Sequence, residues 1–311
     1  HGLDEIPSTL PARREGWGGL TPAQARARKI EDLLVGAGLS QVITYSFGDE
    51  KWADRLRLAA DDPRRAVVAI ANPLSSDQAF MRTMLLPGLL ATAQRNVAVR
   101  EERVHIFELG RVFRPSDLRD AGDRAGSAGD VPGSTDAGKL AGELPGECTH
   151  VGILVHGEWE PVSWLRADVA VDYYLAKGLV ERLCAGLNRE LQYAPAGESF
   201  LHPGKSAILQ DSAGNPVGWL GEVHPLVLQT YDLQAPAVAV ELDARVLLAP
   251  ASEAADFRDL LAYPEVEQDL ALVVDAGVPA AAVVEALRRS GGKLLEDVAI
   301  FDVYQGSQVS E

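Results

Sequence analysis

Cysteine is nearly missing from this 311-residue chain: Cys148 and Cys184 are the only two, with no CxxC and no histidine at ligand spacing. That excludes a disulfide framework or a zinc cluster and leaves two thiols expected as small buried hydrophobes, as in a reducing cytoplasm. No run of about 18 apolar residues occurs, so no helix is expected to span a membrane. The opening His1-Gly2-Leu3-Asp4 has neither the basic nor the apolar part of a signal peptide. It also lacks a methionine, and Gln308-Val309-Ser310-Glu311 carries no helix stop signal, so a piece of a longer protein is expected. Positive charge is scarce, with 29 Lys and Arg against 45 Asp and Glu, a net charge of −16. Such a chain repels phosphate backbones over much of its surface, which argues against tight unaided nucleic-acid binding. Arg95, Arg100, Arg103, Arg111 and Arg114 cluster in sequence. They form either a local basic patch or ion pairs with Glu101, Glu102 and Glu108. There is no GxxxxGK[ST] loop, and Gly36-Ala37-Gly38 ends a helix instead of following a strand, so no nucleotide fingerprint is present.

What is present is an ordinary globular composition, 47% hydrophobic and 24% charged, long enough for two or three domains. Residues 1–19 are dense in Pro and Gly and read as a linker from a preceding domain. Thr21 as N-cap and Pro22 at the first helical position open a helix with Ile30, Leu33, Leu34 and Ala37 on one face. Gln41 to Phe47 then reads as a strand, Ala66 to Ala71 as another, Leu85 to Val99 as a helix, and Val104 to Phe113 as a strand. From Ser116 to Glu147 the composition falls to Gly, Asp, Ala and Ser, with seven glycines. Such a segment buries too little to offset its ordering entropy and is expected as a flexible insertion, 116–147. Beyond it come a strand at Val151 to His156 and a helix at about Ala170 to Leu187, capped by Asp168 or Asp172. Strands follow at Ala207 to Gln210, Pro216 to Glu222 and Val238 to Leu242. Strands in succession with few intervening helices predict an antiparallel sheet in an α+β domain. After residue 257 a β-α-β pattern begins: Asp269 to Val274, Pro279 to Ser290, Leu295 to Tyr304. It resembles half of a ferredoxin-like split βαβ unit.

Two histidine–proline pairs, His202-Pro203-Gly204 and His224-Pro225, invite a metal or general-base reading. No carboxylate stands at triad-like spacing, so a turn with the imidazole bonded to backbone is the simpler reading.

Several motifs carry a resemblance. They are Val42-Ile43-Thr44-Tyr45-Ser46-Phe47, Met81-Arg82-Thr83-Met84 running into Leu85-Leu86-Pro87-Gly88, Phe107-Glu108-Leu109-Gly110-Arg111-Val112-Phe113-Arg114, and His202-Pro203-Gly204-Lys205. Together with Asp172-Tyr173-Tyr174-Leu175-Ala176-Lys177-Gly178 and Phe301-Asp302-Val303-Tyr304 they resemble the β-subunit family of bacterial phenylalanine–tRNA ligase. The resemblance implies a class II synthetase-like, pseudo-catalytic core at 20–250, followed from 257 to 311 by the truncated start of a ferredoxin-like anticodon-binding domain. It implies a chain that is not catalytic alone and holds no cofactor. The implied assembly is an (αβ)₂ heterotetramer in the cytoplasm, whose α subunit handles ATP and whose β subunit helps to position tRNA(Phe). Magnesium belongs to that assembly, and the family's carboxylate ligands for it are expected before His1. A catalytic member needs two arginines and a glycine-bare strand under adenine. Arg114 stands where the first arginine falls, but along Ala239 to Val246 the glycines are replaced by Glu241 and Asp243 and the second arginine by Val246. Like charges beside a triphosphate in a partly buried site are poorly screened, so adenylate chemistry is not expected. Leu175 replaces an acid of the family helix, and Glu267-Gln268-Asp269 replaces Arg-Arg-Asp. Candidate interface and structural residues are Val42, Thr44, Tyr45, Phe47, Arg82, Glu108, Arg111, Arg114, His202 and His224. The helix and strand from Thr21 to Phe47 are the expected subunit contact. A stand-alone interaction or regulatory module derived from the same subunit is the alternative.

Overall fold

The computed structural model describes residues 2, 18–115, 144–161, 163–165, 169–249, 264 and 266–304. Chain contacts separate two units, His1–Ala255 and Asp256–Glu311. The 1–19 linker, apart from Gly2, Gly18 and Gly19, and most of the 116–147 insertion lie outside the described residues.

The first unit opens on helix α1 (Pro22–Gly36). Its Thr21 cap is half of a capping box: Gln24 N donates to Thr21 Oγ1 at 3.2 Å, and Thr21 N donates to Gln24 Oε1 at 2.9 Å. Two orphan amides are satisfied reciprocally, an arrangement whose loss costs a helix about 1 kcal/mol. The seven-stranded sheet contains β1 (Ser40–Gln41), β4 (Val104–Arg114), β5 (Gly146–His156), β6 (Gln192–Pro195), β7 (Leu201–Gln210), β8 (Pro216–Val223) and β9 (Ala237–Asp243), in the order β1-β4-β5-β9-β8-β7-β6. All neighbours are antiparallel except β1, which runs parallel to β4. Two further short strands, β2 (Phe47–Gly48) and β3 (Phe80–Met81), form a separate antiparallel pair.

Both faces of the sheet are covered. Helix α3 (Leu86–Ala98) lies on one with Leu86, Leu89, Leu90 and Ala93 buried, as the sequence periodicity predicts. It packs there among Ile106, Leu154 and Ala239, and each leucine so buried stabilises the fold by roughly 1.5–3 kcal/mol. Helices α1, α4 (Tyr173–Gly186) and α6 (Ala244–Leu248) cover the other face over Phe107, Val151, Ile153 and Val155. This two-sided cover explains the unbroken apolar run Val151–Val155. Asp172, not Asp168, caps α4, accepting from Leu175 N at 3.0 Å. Leu175, where the family has an acid, is partly buried against the same core. Two short helices, α2 (Trp52–Arg55) and α5 (Pro225–Thr230), complete the unit.

Several expected boundaries move. The 41–47 strand is not continuous: only Ser40–Gln41 and Phe47–Gly48 form ladders, because side-chain bonds from Thr44 and Arg82 hold the stretch between them. Ala66 to Ala71 makes a single bridge, Ala69 to Phe80, and two more backbone bonds to 79–81. The insertion ends earlier than 147, because β5 starts at Gly146 to match β4 down to Arg114. Residues Ala244 to Val246 are helical, so Arg245 does not face out from a strand; it pairs with the N-cap Asp243 at 2.5 Å.

In the second unit the helix is present as α7 (Ala280–Gly291). Neither 269–274 nor 295–304 forms a ladder among the described residues, and nearly all of both stretches is exposed.

One pH effect belongs to the sheet. His156, at the end of β5, is 2% exposed, and neither ring nitrogen completes a hydrogen bond. Burial holds its pKa below the ordinary 6.5, with the Glu102 carbonyl opposing only in part. Between that lowered value and 6.5 the unfolded chain binds more protons than the folded one, so stability rises with pH across this window and is complete above it. Thermal melts between about pH 5 and 8 should show this slope, and His156→Phe should flatten it. An unchanged slope would remove His156 as its source.

Candidate functional site

Directly paired residues of an antiparallel ladder share a face of the sheet. The pairings Glu108 with Gly152, Gly110 with His150, and Gly152 with Glu241 therefore put Glu108, Gly110, His150, Gly152 and Glu241 on one face, the face under α3. On it stand two carboxylates, both buried: Glu108 at 1% and Glu241 at 3% exposure.

Each is engaged by the chain itself. Arg82 Nη1 lies 2.8 Å from Glu108 Oε1, with the side chains 9% and 2% exposed. Thr44 Oγ1 donates to Glu108 Oε2 at 2.6 Å and accepts from Arg82 Nη1 at 2.8 Å. Arg82 Nε also donates to the Arg111 carbonyl at 2.7 Å. The cluster sits between two glycines. A Cβ on Gly110 would come within 2.5 Å of Arg82 Nη2 and 2.7 Å of Glu108 Oε1, and one on Gly88 within 2.5 Å of Thr44 Oγ1.

Glu241 solves a different local problem. Helix α3 begins after Leu85, whose side chain cannot cap it. Glu241 reaches across from β9 to accept from Leu85 N at 3.0 Å and Leu86 N at 3.2 Å. It thus places a negative charge on the positive end of the helix dipole. His150 Nδ1 donates to its other oxygen at 2.8 Å. The residue read in sequence as a carboxylate in the way of a triphosphate is the cap of the helix that covers the sheet. A Cβ on Gly152 would meet Leu85 Cβ and Leu89 Cδ1 at 3.0 Å, which measures how closely that helix lies on the strand. Helix α3 and its Glu241 cap thus cover this face of the sheet. No group of His, Cys, Asp and Glu among the described residues is arranged to hold a metal ion.

The sequence candidates therefore separate. Thr44, Arg82 and Glu108 are brought together in one cluster, with Glu108 buried and Thr44 and Arg82 partly so. Val42 also turns inward, packing on the core beneath. The stretch alternates, so Ile43, Tyr45 and Phe47 point outward at 92%, 78% and 42% exposure. Ile43 was not singled out from the sequence, although period-2 alternation from Val42 marks it. A shallow open cavity of about 260 Å³ flanks β2 and β3, lined by Glu50, Trp52, Ala53, Arg65, Val67 and Phe80. Arg111 projects to the surface and pairs with Glu147, not with a glutamate of its own neighbourhood. Arg114 ends β4, paired in register with Gly146. His224 is the N-cap of α5, its Nδ1 accepting from Leu226 N at 3.1 Å, and His202 Nδ1 accepts from Gly204 N at 3.2 Å. Both histidine–proline pairs bond to backbone in the manner of turns. Cys148 and Cys184 are both buried, as expected of small hydrophobes.

The fold and this cluster define an α+β domain with a mostly antiparallel sheet whose covered face is closed by its own helix and ion pair. The chain belongs to the family described as the phenylalanyl tRNA synthetase beta chain CLM domain, whose model matches residues 6–244. The model of the ferredoxin-fold anticodon binding domain matches residues 262–311. Among curated relatives, the phenylalanine–tRNA ligase beta subunits of Syntrophotalea carbinolica and Moorella thermoacetica are 38% and 39% identical over 100% of this chain and 36% of their own lengths. That of Thermobifida fusca is 37% identical over 100% of the chain and 37% of its length. The chain thus spans little more than a third of these relatives. A solved pyrrolysyl tRNA synthetase from Desulfitobacterium hafniense is 14% identical with a TM-score of 0.48, covering 72% of this chain and 66% of its own, too remote to build on. Among the described residues no helix is long and apolar enough to cross a membrane.

Proposed function

We propose that this chain is a non-catalytic part of the β subunit of a phenylalanine–tRNA ligase. On this reading a separate α subunit carries out the ATP- and Mg²⁺-dependent chemistry on phenylalanine. The β chain holds α within an (αβ)₂ heterotetramer in the cytoplasm and helps to position tRNA(Phe), and this segment needs no cofactor of its own. The observation that carries the reading is the closed face: the Arg82–Glu108–Thr44 cluster and the Glu241-capped helix occupy the ground a nucleotide would need. The outward row Ile43, Tyr45 and Phe47 is the surface on which α would sit, because exposed apolar side chains in a continuous row are a feature of interfaces. Arg111, Arg114, His202 and His224 are secondary contact candidates.

The test is to mix the chain with the cognate α subunit and read the mass by light scattering after size exclusion. A complex of two of each, with Ile43→Asp and Tyr45→Asp weakening it at least tenfold, is the expected result. The chain alone should give no ATP–pyrophosphate exchange. Two separate peaks would favour the alternative, a stand-alone interaction module, for which the exposed Glu267 in the place of an arginine is the supporting observation.

A further inference from the structure

Beside α5, three nitrogen-bearing side chains come together. Arg57 Nη1 lies 3.1 Å and 2.9 Å from the two ring nitrogens of His224. His202 comes close to His224 because β7 and β8 pair at Leu201 and Val223. Other cations of these elements are matched by carboxylates: Arg55 by Asp49, Arg64 by Asp62 and Glu198, Arg65 by Asp54, and Lys205 by Glu222. Among the described residues the Arg57 side chain meets only the His224 imidazole. In a chain with a net charge of −16, an unmatched group of this kind needs a reason.

The backbone fixes where Arg57 stands. It has φ 59° and closes α2, with Arg57 N donating to the Asp54 carbonyl and Leu58 N to the Ala53 carbonyl, a left-handed helix end that glycine also adopts freely. Arg57 is exposed, and His202 and His224 are half-buried, so all three reach solvent. The charges of Arg57 and His202 add to burial in holding the His224 pKa below 6.5, which an anion beside them would reverse.

We infer that Arg57, His202 and His224 form a phosphate-binding site for the backbone of an RNA, with the guanidinium fork as main ligand and the imidazoles as added donors. Arginine suits this role because its planar fork matches two phosphate oxygens. The inference rests on the tRNA-linked reading above but assigns a contact on the first unit, outside residues 262–311 of the anticodon-domain match.

The test is NMR of the full chain with ¹³C-labelled histidines, assigned with His202→Gln and His224→Gln, and titrated with an RNA stem-loop, with inorganic phosphate, and with ATP. RNA should raise the His224 pKa, while equal concentrations of phosphate or ATP should leave it unchanged. Arg57→Gly, which keeps the left-handed backbone, should abolish the shift, and Arg57→Lys should restore part of it. In RNA-binding titrations Arg57→Gly should lower the salt slope by about one. An equal response to inorganic phosphate or ATP would overturn the RNA assignment. RNA binding with His224 unmoved would overturn the site while leaving the subunit reading intact. No RNA binding by a chain that still assembles with α would do the same.

Discussion

Arg82→Ala is expected to destabilise the first unit by about 3–5 kcal/mol, the largest single effect in the chain. The substitution leaves Glu108, 2% exposed at its side chain, as a buried carboxylate whose remaining side-chain donor is Thr44. Removing one partner of a buried pair costs more than the pair contributes, because the stranded charge cannot recover its hydration. The bond from Arg82 Nε to the Arg111 carbonyl is lost as well. Urea unfolding followed by tryptophan fluorescence reads this directly, since Trp17, Trp52, Trp159, Trp164 and Trp219 all precede residue 256. The double variant Arg82→Met with Glu108→Leu should recover most of the loss, because it removes both charges together. A loss below about 1 kcal/mol for Arg82→Ala would show that solvent reaches the cluster.

Glu241→Ala should cost about 3 kcal/mol or more, by a different route. It uncaps α3, leaving the Leu85 and Leu86 amides without an acceptor, and it removes the partner of His150 Nδ1. His150 Nε2 already has none, so its ring would be left without any polar contact. Glu241→Gln keeps one acceptor oxygen and should lose clearly less. The same unfolding measurement separates the two variants; if alanine and glutamine behave alike and both stay within about 0.5 kcal/mol of the parent, the capping role is wrong. Glu241→Gly, which restores the glycine of the catalytic pattern, should still give no pyrophosphate exchange by the chain. Leu85 and Leu89 would continue to fill the face.

Much of this was legible in the chain. Helix α3 is written in Leu86, Leu89, Leu90 and Ala93, and α1 in Thr21, Pro22 and the apolar face after them. β9 was legible too, through its apolar run Ala237–Val240, and β4 through the alternation of Val104 and Ile106. Short elements were not: β6, α2, α5 and α6 are too brief for any period to show against loop composition. The Glu108 partner was not legible, because Arg82 arrives from 26 positions away by way of β3 and not from the arginine cluster nearby in sequence.

By itself, then, the sequence determined the α+β class, the family and the loss of the glycine-bare strand, since each rests on residue type and local order. Only the tertiary structure decided what stands in place of that strand. Glu241 reads as a like charge opposing a phosphate until β9 is placed beside α3, where it becomes the acceptor two helix amides require. The same holds for Thr44, which a strand pattern offers equally to solvent or to core. A side chain's polarity is local, but its partner is fixed by register and topology, and those are set by the chain as a whole.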